Sequence, residues 1–289
     1  MHGSGLEPCW PIWTGMTADN STFPSLTALV MAASRQGVED SVARLQNKSH
    51  KCLVEIDGIA MIERVIQALI DSACFERILV SIEDEEVLQG LTSAGHWLQQ
   101  GVIEVVPSSG NLADSVVSVS KIVNQPLPLV ITTADNALHT PELIRDFVIG
   151  FTKGSADVAV GVTSESTVRA EYPNEKIGFF RFRDGGYSFC NLFGISTSSG
   201  LEGAKIFRTG GQFRKHPWRI LKIFGVLPLI LYKFRLVDLD SIVHRIGRKL
   251  GISFAAVLIP YAFGPIDVDN PTTFEFSERT LRERRQESE

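Results

Sequence analysis

The chain of 289 residues is poor in cysteine, has no long apolar run and carries no basic excess, and each absence excludes a class of protein. Its four cysteines show neither CxxC pairs nor metal-site spacing, so neither a disulfide framework nor a zinc module is predicted. No apolar stretch reaches the roughly 18 residues that a membrane-spanning helix needs. The net charge of -5 argues against general nucleic-acid binding, which usually needs a basic surface.

The remaining composition is that of an ordinary globular protein, with 44% hydrophobic and 21% charged residues. Residues 1–24 combine Gly, Pro, Ser and Thr without an apolar period or a basic start, so we expect a flexible leader there rather than a secretory signal. We expect a single domain at 25–285, with an acceptor or lid insertion at 166–250 and a tail at 286–289. Cysteines inside apolar segments suit a reduced, cytoplasmic protein.

Short apolar runs alternate with segments of helical period through the first half of the chain. Strands are predicted at 27–33, 53–56, 77–82, 102–106, 127–133 and 156–162, and helices at 61–70, 84–91, 112–123 and 141–150. Such alternation is typical of βαβ units, and it predicts an α/β fold with a mostly parallel, doubly wound, Rossmann-like sheet.

The second half of the chain has a different pattern. Two strands, at 177–183 and 187–195, are predicted to form a hairpin around Asp184-Gly185-Gly186. A helix at 241–250 and strands at 252–259 and 264–268 follow, and Asn270-Pro271 opens a final helix. We expect this region to supply a helical lid and to return to the first sheet.

Asp135 follows the predicted strand at 127–133, where the carboxyl end of the strand meets the ligand-binding edge of such a sheet. A carboxylate there could hold Mg²⁺, which binds one or two carboxylates together with phosphate oxygens and water. The alternative interpretation is a turn residue before the next helix.

Asp267 and Asp269 end the predicted strand at 264–268, and alternation along a strand sends both side chains to the same side. One of them could complete a metal site with Asp135, and the other could cap the final helix. We favour Asp267 as the metal ligand and Asp269 as the cap.

Two further features could meet phosphate groups. Lys51 precedes a predicted strand and could neutralise phosphate charge, although an isolated lysine is usually a solvated surface group. The strand end at Ala32 and the loop after it could present backbone N–H groups to phosphates, through Ala33, Ser34 and Gly37. This loop matches neither the P-loop nor the dinucleotide-binding pattern.

Taken in order, these segments resemble the MobA-like NTP transferase superfamily. The resemblance rests on TALVMAASRQG with HKCLVEIDG, on VITTADNALHTPELI and on the closing GPIDVDNPTTF. It implies a nucleotide-diphospho-sugar-transferase-like fold, with Asp135 in the metal position, Asp267 or Asp269 as second ligand, and Lys51 and Arg35 on the triphosphate. The sequence departs from the family's pattern at Ala33-Ser34, where a double glycine is usual.

The resemblance also assigns positions for the base and the acceptor. Ser108, Ser109 and Asn111 fall where family members contact the nucleobase, although a polar loop with a helix cap explains them equally well. Asn191 falls where relatives place a substrate-facing asparagine. Arg181 and Arg183 share a face of their predicted strand, and could meet an anionic acceptor or be exposed sheet charges.

The stretch at 213–237 has basic residues on both sides of an apolar run. This pattern suits a peripheral membrane contact, since cations favour anionic lipid and apolar groups enter the headgroup region. A helical lid or a homodimer contact gives the same pattern.

The function that these features predict is Mg²⁺-dependent transfer of a nucleoside monophosphate from an NTP to a small phosphorylated acceptor, with release of pyrophosphate. One alternative is a nucleotide-sugar-dependent glycosyltransferase that uses Asp267-Val268-Asp269 as a DxD motif, although that motif normally lies mid-chain. Another is a non-catalytic nucleotide-binding member, because the first loop departs from the family pattern.

Overall fold

A mixed β-sheet forms the centre of the computed structural model, which describes residues 25–34, 37–109, 112–204 and 231–288. The strands are β1 (Thr27–Met31), β2 (Glu55–Ile56), β3 (Ile59–Ala60), β4 (Arg77–Ile82), β5 (Ile103–Pro107), β6 (Leu129–Thr133), β7 (Val158–Ser164), β8 (Phe180–Phe182), β9 (Gly185–Ile195) and β10 (Phe254–Leu258). Strands β2 and β3 form a separate small hairpin.

The main sheet has the strand order β10-β7-β9-β6-β1-β4-β5, and β8 pairs with β9. Strand β1 is parallel to β4 and β6, β4 is parallel to β5, and β7 is parallel to β10. Strand β9 runs antiparallel to both β6 and β7, so residues within the predicted insertion contribute a central strand. The topology confirms the predicted α/β fold class, and the β8–β9 pairing confirms the predicted hairpin.

Helices cover both faces of the sheet. They are α1 (Met61–Ser72), α2 (Glu86–Gln89), α3 (Thr92–Gln99), α4 (Leu112–Ile122), α5 (Pro141–Gly154), α6 (Glu165–Glu171), α7 (Ser198–Ala204), α8 (Leu239–Leu250) and α9 (Pro271–Ser288). Buried residues of α1 and α5 pack with Ala28 and Val30 of β1, whereas α4 packs with Leu29 and Met31. All five residues of β1 are buried, as expected for a central parallel strand.

Helix α5 begins as its sequence predicts. The hydroxyl of Thr140 accepts a hydrogen bond from the Leu143 amide at 3.4 Å, and Pro141 occupies the first helical position. Across the described part of the chain, none of the helices combines the length and apolarity that crossing a membrane requires.

Several predicted elements differ from the structure. The strand predicted at 264–268 is wrong, because this segment makes local turns, with the Gly264 amide bonded to the Tyr261 carbonyl. The strand predicted at 53–56 is mostly a 3-10 turn, Lys51–Leu53, followed by the two-residue β2. Helix α3 was not predicted, since Gly95 and Ser93 are poor helix formers. An added Cβ at Gly95 would lie only 3.0 Å from the Gln89 carbonyl oxygen, so the close packing favours glycine here.

The close approach of β9 to α5 makes Gly194 a sensitive position. A Cβ at Gly194 would lie 2.6 Å from a ring carbon of Phe151, whereas a Cβ at Gly154, the last residue of α5, meets nothing within 4 Å. We therefore expect Gly194→Ala to lower the free energy of unfolding by about 1–3 kcal/mol through overpacking. The matched control Gly154→Ala should leave it unchanged or raise it by up to about 1 kcal/mol. Urea denaturation measures both, and equal values for the two variants would contradict the predicted clash.

Candidate functional site

Three acidic side chains meet at the carboxyl end of β6. Asp135 lies two residues after this strand, and its carbonyl accepts a hydrogen bond from the Val268 amide at 3.0 Å, which holds the closing segment against the strand end. Asp135, Asp267 and Asp269 each offer a carboxylate oxygen, and these oxygens lie within 4.8 Å of one another. The structure thus brings together the three residues that were predicted as metal ligands.

Lys51 places its ammonium group inside this acidic cluster. Its Nζ donates to Asp135 Oδ2 at 2.6 Å and to Asp269 Oδ1, from a short turn that immediately precedes β2. Burial opposes a charge on Lys51, but the neighbouring carboxylates of Asp135 and Asp269 outweigh it and raise the pKa of the ammonium group above its ordinary value. Lys51 therefore carries a permanent positive charge at neutral pH.

Asp267 is the carboxylate of the cluster whose pKa is shifted from its ordinary value. Burial, followed by the negative charges of Asp269 and Asp135, raises the pKa of Asp267 to about 6. Its Oδ2 accepts a hydrogen bond from Asn191 Nδ2 at 3.0 Å. Ionising Asp267 is costly because it is buried and two other carboxylates lie beside it. A further cation would therefore be stabilised at this place.

The donor set of the cluster fits a hard divalent cation. Carboxylate oxygens are the protein ligands that Mg²⁺ prefers, and Asp135, Asp267 and Asp269 supply oxygens from two separate segments of the chain. Burial, together with repulsion from Asp269 and Asp135, raises the pKa of Asp267, and a bound dication would stabilise the ionised carboxylate against both.

A buried amide network holds the two inner carboxylates. The side chain of Asn136, which is fully buried, donates to the Thr133 carbonyl at 3.2 Å and accepts from Asn191 Nδ2 at 3.3 Å. The Thr133 hydroxyl in turn donates to Asp135 Oδ1. Thr133 and Asn136 were not predicted as site residues, although polar side chains directly after a buried apolar strand were a signal for them.

Asn191 reaches the cluster from an irregular point of β9. Its φ of 50° lies in the left-handed region, and the register between β9 and β7 shifts between Val160 and Val162. Such bulges re-aim a side chain, and asparagine tolerates the left-handed conformation better than most residues. The irregularity therefore accompanies the contact between Asn191 and Asp267 at the candidate site.

Helix α9 is capped by Asn270, not by Asp269 as predicted. The Asn270 side-chain oxygen accepts a hydrogen bond from the Thr273 amide at 3.1 Å. Because Pro271 takes the first helical position, the capping position falls on the residue immediately before it. Asp269 is thereby left to pair with Lys51.

The first loop begins where β1 leaves the sheet. The Ala32 amide donates to the Ser81 carbonyl at 3.0 Å, and Ala33 is exposed. The Ser34 amide donates to Glu83 Oε1 at 2.8 Å, while the Ser34 hydroxyl accepts from the Gly37 amide at 2.9 Å. Arg35, which was predicted to contact the triphosphate, lies outside the described residues.

The positions predicted to contact the nucleobase lie in the connection from β5 to α4. The Ser108 amide donates to the Ile82 carbonyl at 3.1 Å. The Ser109 amide donates to the Ser115 hydroxyl of α4 at 2.8 Å. Asn111 lies outside the described residues. A role in base recognition stays a prediction.

The two arginines predicted to meet the acceptor belong to the β8–β9 hairpin, and each pairs with a carboxylate. Arg181 Nη2 donates to Glu165 Oε1 at 2.8 Å, and Arg183 pairs with Asp238. Both arginines are exposed. Their contact with an acceptor stays a prediction.

Most of the segment predicted to touch a membrane, 213–237, lies outside the described residues. Its last part, 231–237, has the exposed apolar side chains Phe234 and Leu236 next to Lys233 and Arg235.

One family model matches the greater part of this chain. Residues 29–221 match the family model of the MobA-like NTP transferase domain, which covers more than half of the chain. The chain belongs to this family. It is therefore an enzyme of the nucleotidyltransferase class, as the sequence resemblance implied.

Solved structures share the fold. A hypothetical transferase from Thermus thermophilus is similar with a TM-score of 0.70 and 23% identity, covering 87% of this chain and 100% of that one. CMP:2-keto-3-deoxy-manno-octonic acid synthetase complexed with CTP has a TM-score of 0.57 and 15% identity, covering 90% and 100%. A 4-diphosphocytidyl-2C-methyl-D-erythritol synthase from Anaerococcus prevotii has a TM-score of 0.52 and 11% identity, covering 89% and 96%. No match to a curated protein sequence was found.

Proposed function

We propose that this nucleotidyltransferase uses Mg²⁺ to transfer a nucleoside monophosphate from an NTP to a small phosphorylated acceptor, with release of pyrophosphate. The acceptor class is a sugar, polyol or lipid head-group phosphate. One observation carries the proposal: Lys51, Asp135, Asp267 and Asp269 converge at the carboxyl end of β6, where open α/β sheets bind their ligands.

The acidic cluster would hold the metal. Asp135 and Asp267 are half-buried and tied in place by Thr133 and Asn191, and the exposed Asp269 completes the set. When bound there, Mg²⁺ supplies Lewis-acid neutralisation of phosphate oxygens.

Lys51 contributes a fixed positive charge to the same place. In the proposed reaction an oxygen of the acceptor phosphate attacks the α-phosphorus of the NTP, and the bond from that phosphorus to the β-phosphate oxygen breaks. Negative charge therefore accumulates on phosphate oxygens, and a preorganised ammonium group stabilises it. Arg35 is expected to add a second charge from the first loop, together with the amides that follow Ala32.

No general base is needed, because the attacking phosphate oxygen is already anionic at neutral pH. His139, the histidine nearest to Asp135 in sequence, is buried, and its Nε2 lies 3.0 Å from the Gly264 carbonyl oxygen. Burial lowers the pKa of His139 to about 4, so it is neutral at physiological pH. Its contribution is to fix the segment that carries Asp267.

The test is an assay of pyrophosphate release by the full chain with CTP, GTP, UTP or ATP, Mg²⁺ and a panel of phosphorylated acceptors. CTP is the first choice, because one structure with the same fold is a complex with CTP. We expect release with at least one NTP, dependent on acceptor and abolished by EDTA. Folded protein that turns over no combination would refute the proposal. Hydrolysis of a nucleotide-sugar without NTP turnover would instead support the glycosyltransferase alternative.

Peripheral membrane contact through 213–237, a homodimer and a cytoplasmic location stay predictions. The exposed Phe234 and Leu236, with the cations Lys233 and Arg235 beside them, have the composition that such a membrane contact requires.

A further inference from the structure

An apolar row crosses three strands next to the candidate site. Leu258, the last residue of β10, pairs in register with Val162 of β7, and Val162 pairs with Phe189 of β9. Phe180 of β8 extends the row, with its ring centroid 5.1 Å from that of Phe189. Because neighbours in register point to the same face of a sheet, these four side chains lie on one face, with Phe180 diagonal to Phe189 and in register with Tyr187.

Much of this surface is open to solvent. Leu258 is 61% exposed, Phe180 42% and Phe189 39%, whereas Val162 beneath them is buried. Val162 packs in the apolar cluster between the sheet and helix α8. The row therefore extends this apolar layer beyond the area that α8 covers. Phe180 and Phe189 are exposed side by side, and Leu258 is exposed across the buried Val162. Large apolar side chains exposed together, rather than singly, are typical of a binding surface.

The row leads directly to the acidic cluster. Phe189 lies two residues before Asn191 on β9, so the two residues are close neighbours along the chain. Asn191 in turn bonds to Asp267 at 3.0 Å. A molecule that lies on the row can therefore present a phosphate group to the cluster.

The charged residues around the row indicate which kind of ligand group the row can bind. Arg181, between Phe180 and Phe182 on β8, is paired with Glu165, and Arg183 at the hairpin is paired with Asp238. These two cations of the hairpin are thus partly neutralised. The remaining surface is aromatic and aliphatic, and it offers dispersion and burial of apolar area rather than recognition of a second anion.

We propose that Leu258, Phe189 and Phe180 form an acceptor subsite for an apolar group, so that the acceptor is the lipid-type member of the proposed classes, a phosphomonoester whose alcohol carries an apolar chain. This inference rests on the proposed nucleotidyl transfer. The phosphate oxygen of the acceptor forms the new bond to the α-phosphorus, and pyrophosphate leaves with the electrons of the broken bond. The apolar group takes no part in the chemistry and supplies binding energy.

The experiment compares ethyl phosphate, n-hexyl phosphate and glycerol 3-phosphate as acceptors for the full chain. Burying four more methylenes against a half-open surface should raise kcat/KM for hexyl over ethyl phosphate by roughly 10-fold. The variants Phe189→Ala and Leu258→Ala should reduce that ratio to about 1–3, because each removes part of the surface. Ile122→Ala is the matched control, since it removes an exposed aliphatic side chain at the end of α4, outside the row, and should leave the ratio unchanged.

Calorimetric titration of n-hexyl phosphate with Mg²⁺ separates this inference from the proposed function, because it needs no turnover. If no acceptor is turned over but hexyl phosphate binds and Phe189→Ala weakens it, the subsite stands and the proposed reaction fails. Turnover of glycerol 3-phosphate without any gain for the hexyl ester would overturn the subsite alone. Absence of binding, or a Phe189→Ala effect on the oligomeric state instead of on binding, would also overturn it. Thermal unfolding of each variant checks that it is folded.

Discussion

Asp135→Asn is expected to lower kcat/KM for nucleotidyl transfer by roughly 10³-fold, which corresponds to several kcal/mol of lost transition-state stabilisation. The amide keeps the shape of the carboxylate but removes a negative oxygen from the centre of the cluster. It also places a neutral group 2.6 Å from Lys51 Nζ, where the ammonium now has a charged partner. Steady-state pyrophosphate release at saturating Mg²⁺ measures the effect.

The matched control for this prediction is Asp71→Asn. Asp71 is exposed on α1, where its side chain accepts a hydrogen bond from Gln67, and its replacement should leave the rate within about twofold. The fold of Asp135→Asn should persist, because Thr133 can still donate to the side-chain oxygen of the amide. If a folded Asp135→Asn enzyme retains more than about a tenth of the activity, Asp135 is not a catalytic residue.

The fold could be predicted from the sequence because its signal is local. The run at 77–82 is rich in β-branched and apolar residues, and β4 has those same bounds. The segment at 264–268 carried a similar alternation but forms turns, since no neighbouring strand offers it a register within the described sheet. Hydrophobic periodicity is a property of a single segment, whereas strand pairing depends on the segments that lie beside it in the fold.

Only part of the candidate site could be predicted. The rule that ligands bind at the carboxyl ends of strands identified Asp135, and the order of the family's motifs added Lys51 and Asp267. The contact between Lys51 and Asp269 spans 218 residues, so the tertiary fold alone decides which aspartate it meets. The side-chain network through Asn136 depends on the irregular backbone conformation of Asn191. No local sequence pattern predicts this conformation.

The ionisation of Asp267 leads to a prediction about stability. Its pKa is about 6 in the folded protein and near the ordinary value of 3.8 in the unfolded chain. Between these values the folded state binds more protons, so the free energy of unfolding falls as the pH rises through this window. Above pH 6 the metal-free protein bears the whole cost of about 3 kcal/mol.

Asp267→Asn removes this cost and is therefore expected to stabilise the metal-free protein by about 2–3 kcal/mol at pH 7.5. The oxygen of the introduced amide can still accept the hydrogen bond from Asn191. At pH 4.5 the wild-type Asp267 is largely protonated when folded, so the advantage of the variant should shrink by more than half. Urea denaturation in EDTA at the two pH values measures this difference.

Mg²⁺ should make the wild type more stable than Asp267→Asn. A ligand that binds only the folded state stabilises it by about 4.1 kcal/mol at roughly 1,000 times its dissociation constant. This gain exceeds the advantage of about 2–3 kcal/mol that the variant has in EDTA, and the variant has lost one of the metal ligands. The wild type is therefore expected to gain stability with Mg²⁺ while Asp267→Asn gains little, and Asp71→Asn should respond like the wild type. A variant that is less stable than the wild type in EDTA at pH 7.5 would show that Asp267 is a structural residue. In contrast, a stabilised variant that no longer responds to Mg²⁺ would show that stability is sacrificed here for a metal-binding carboxylate.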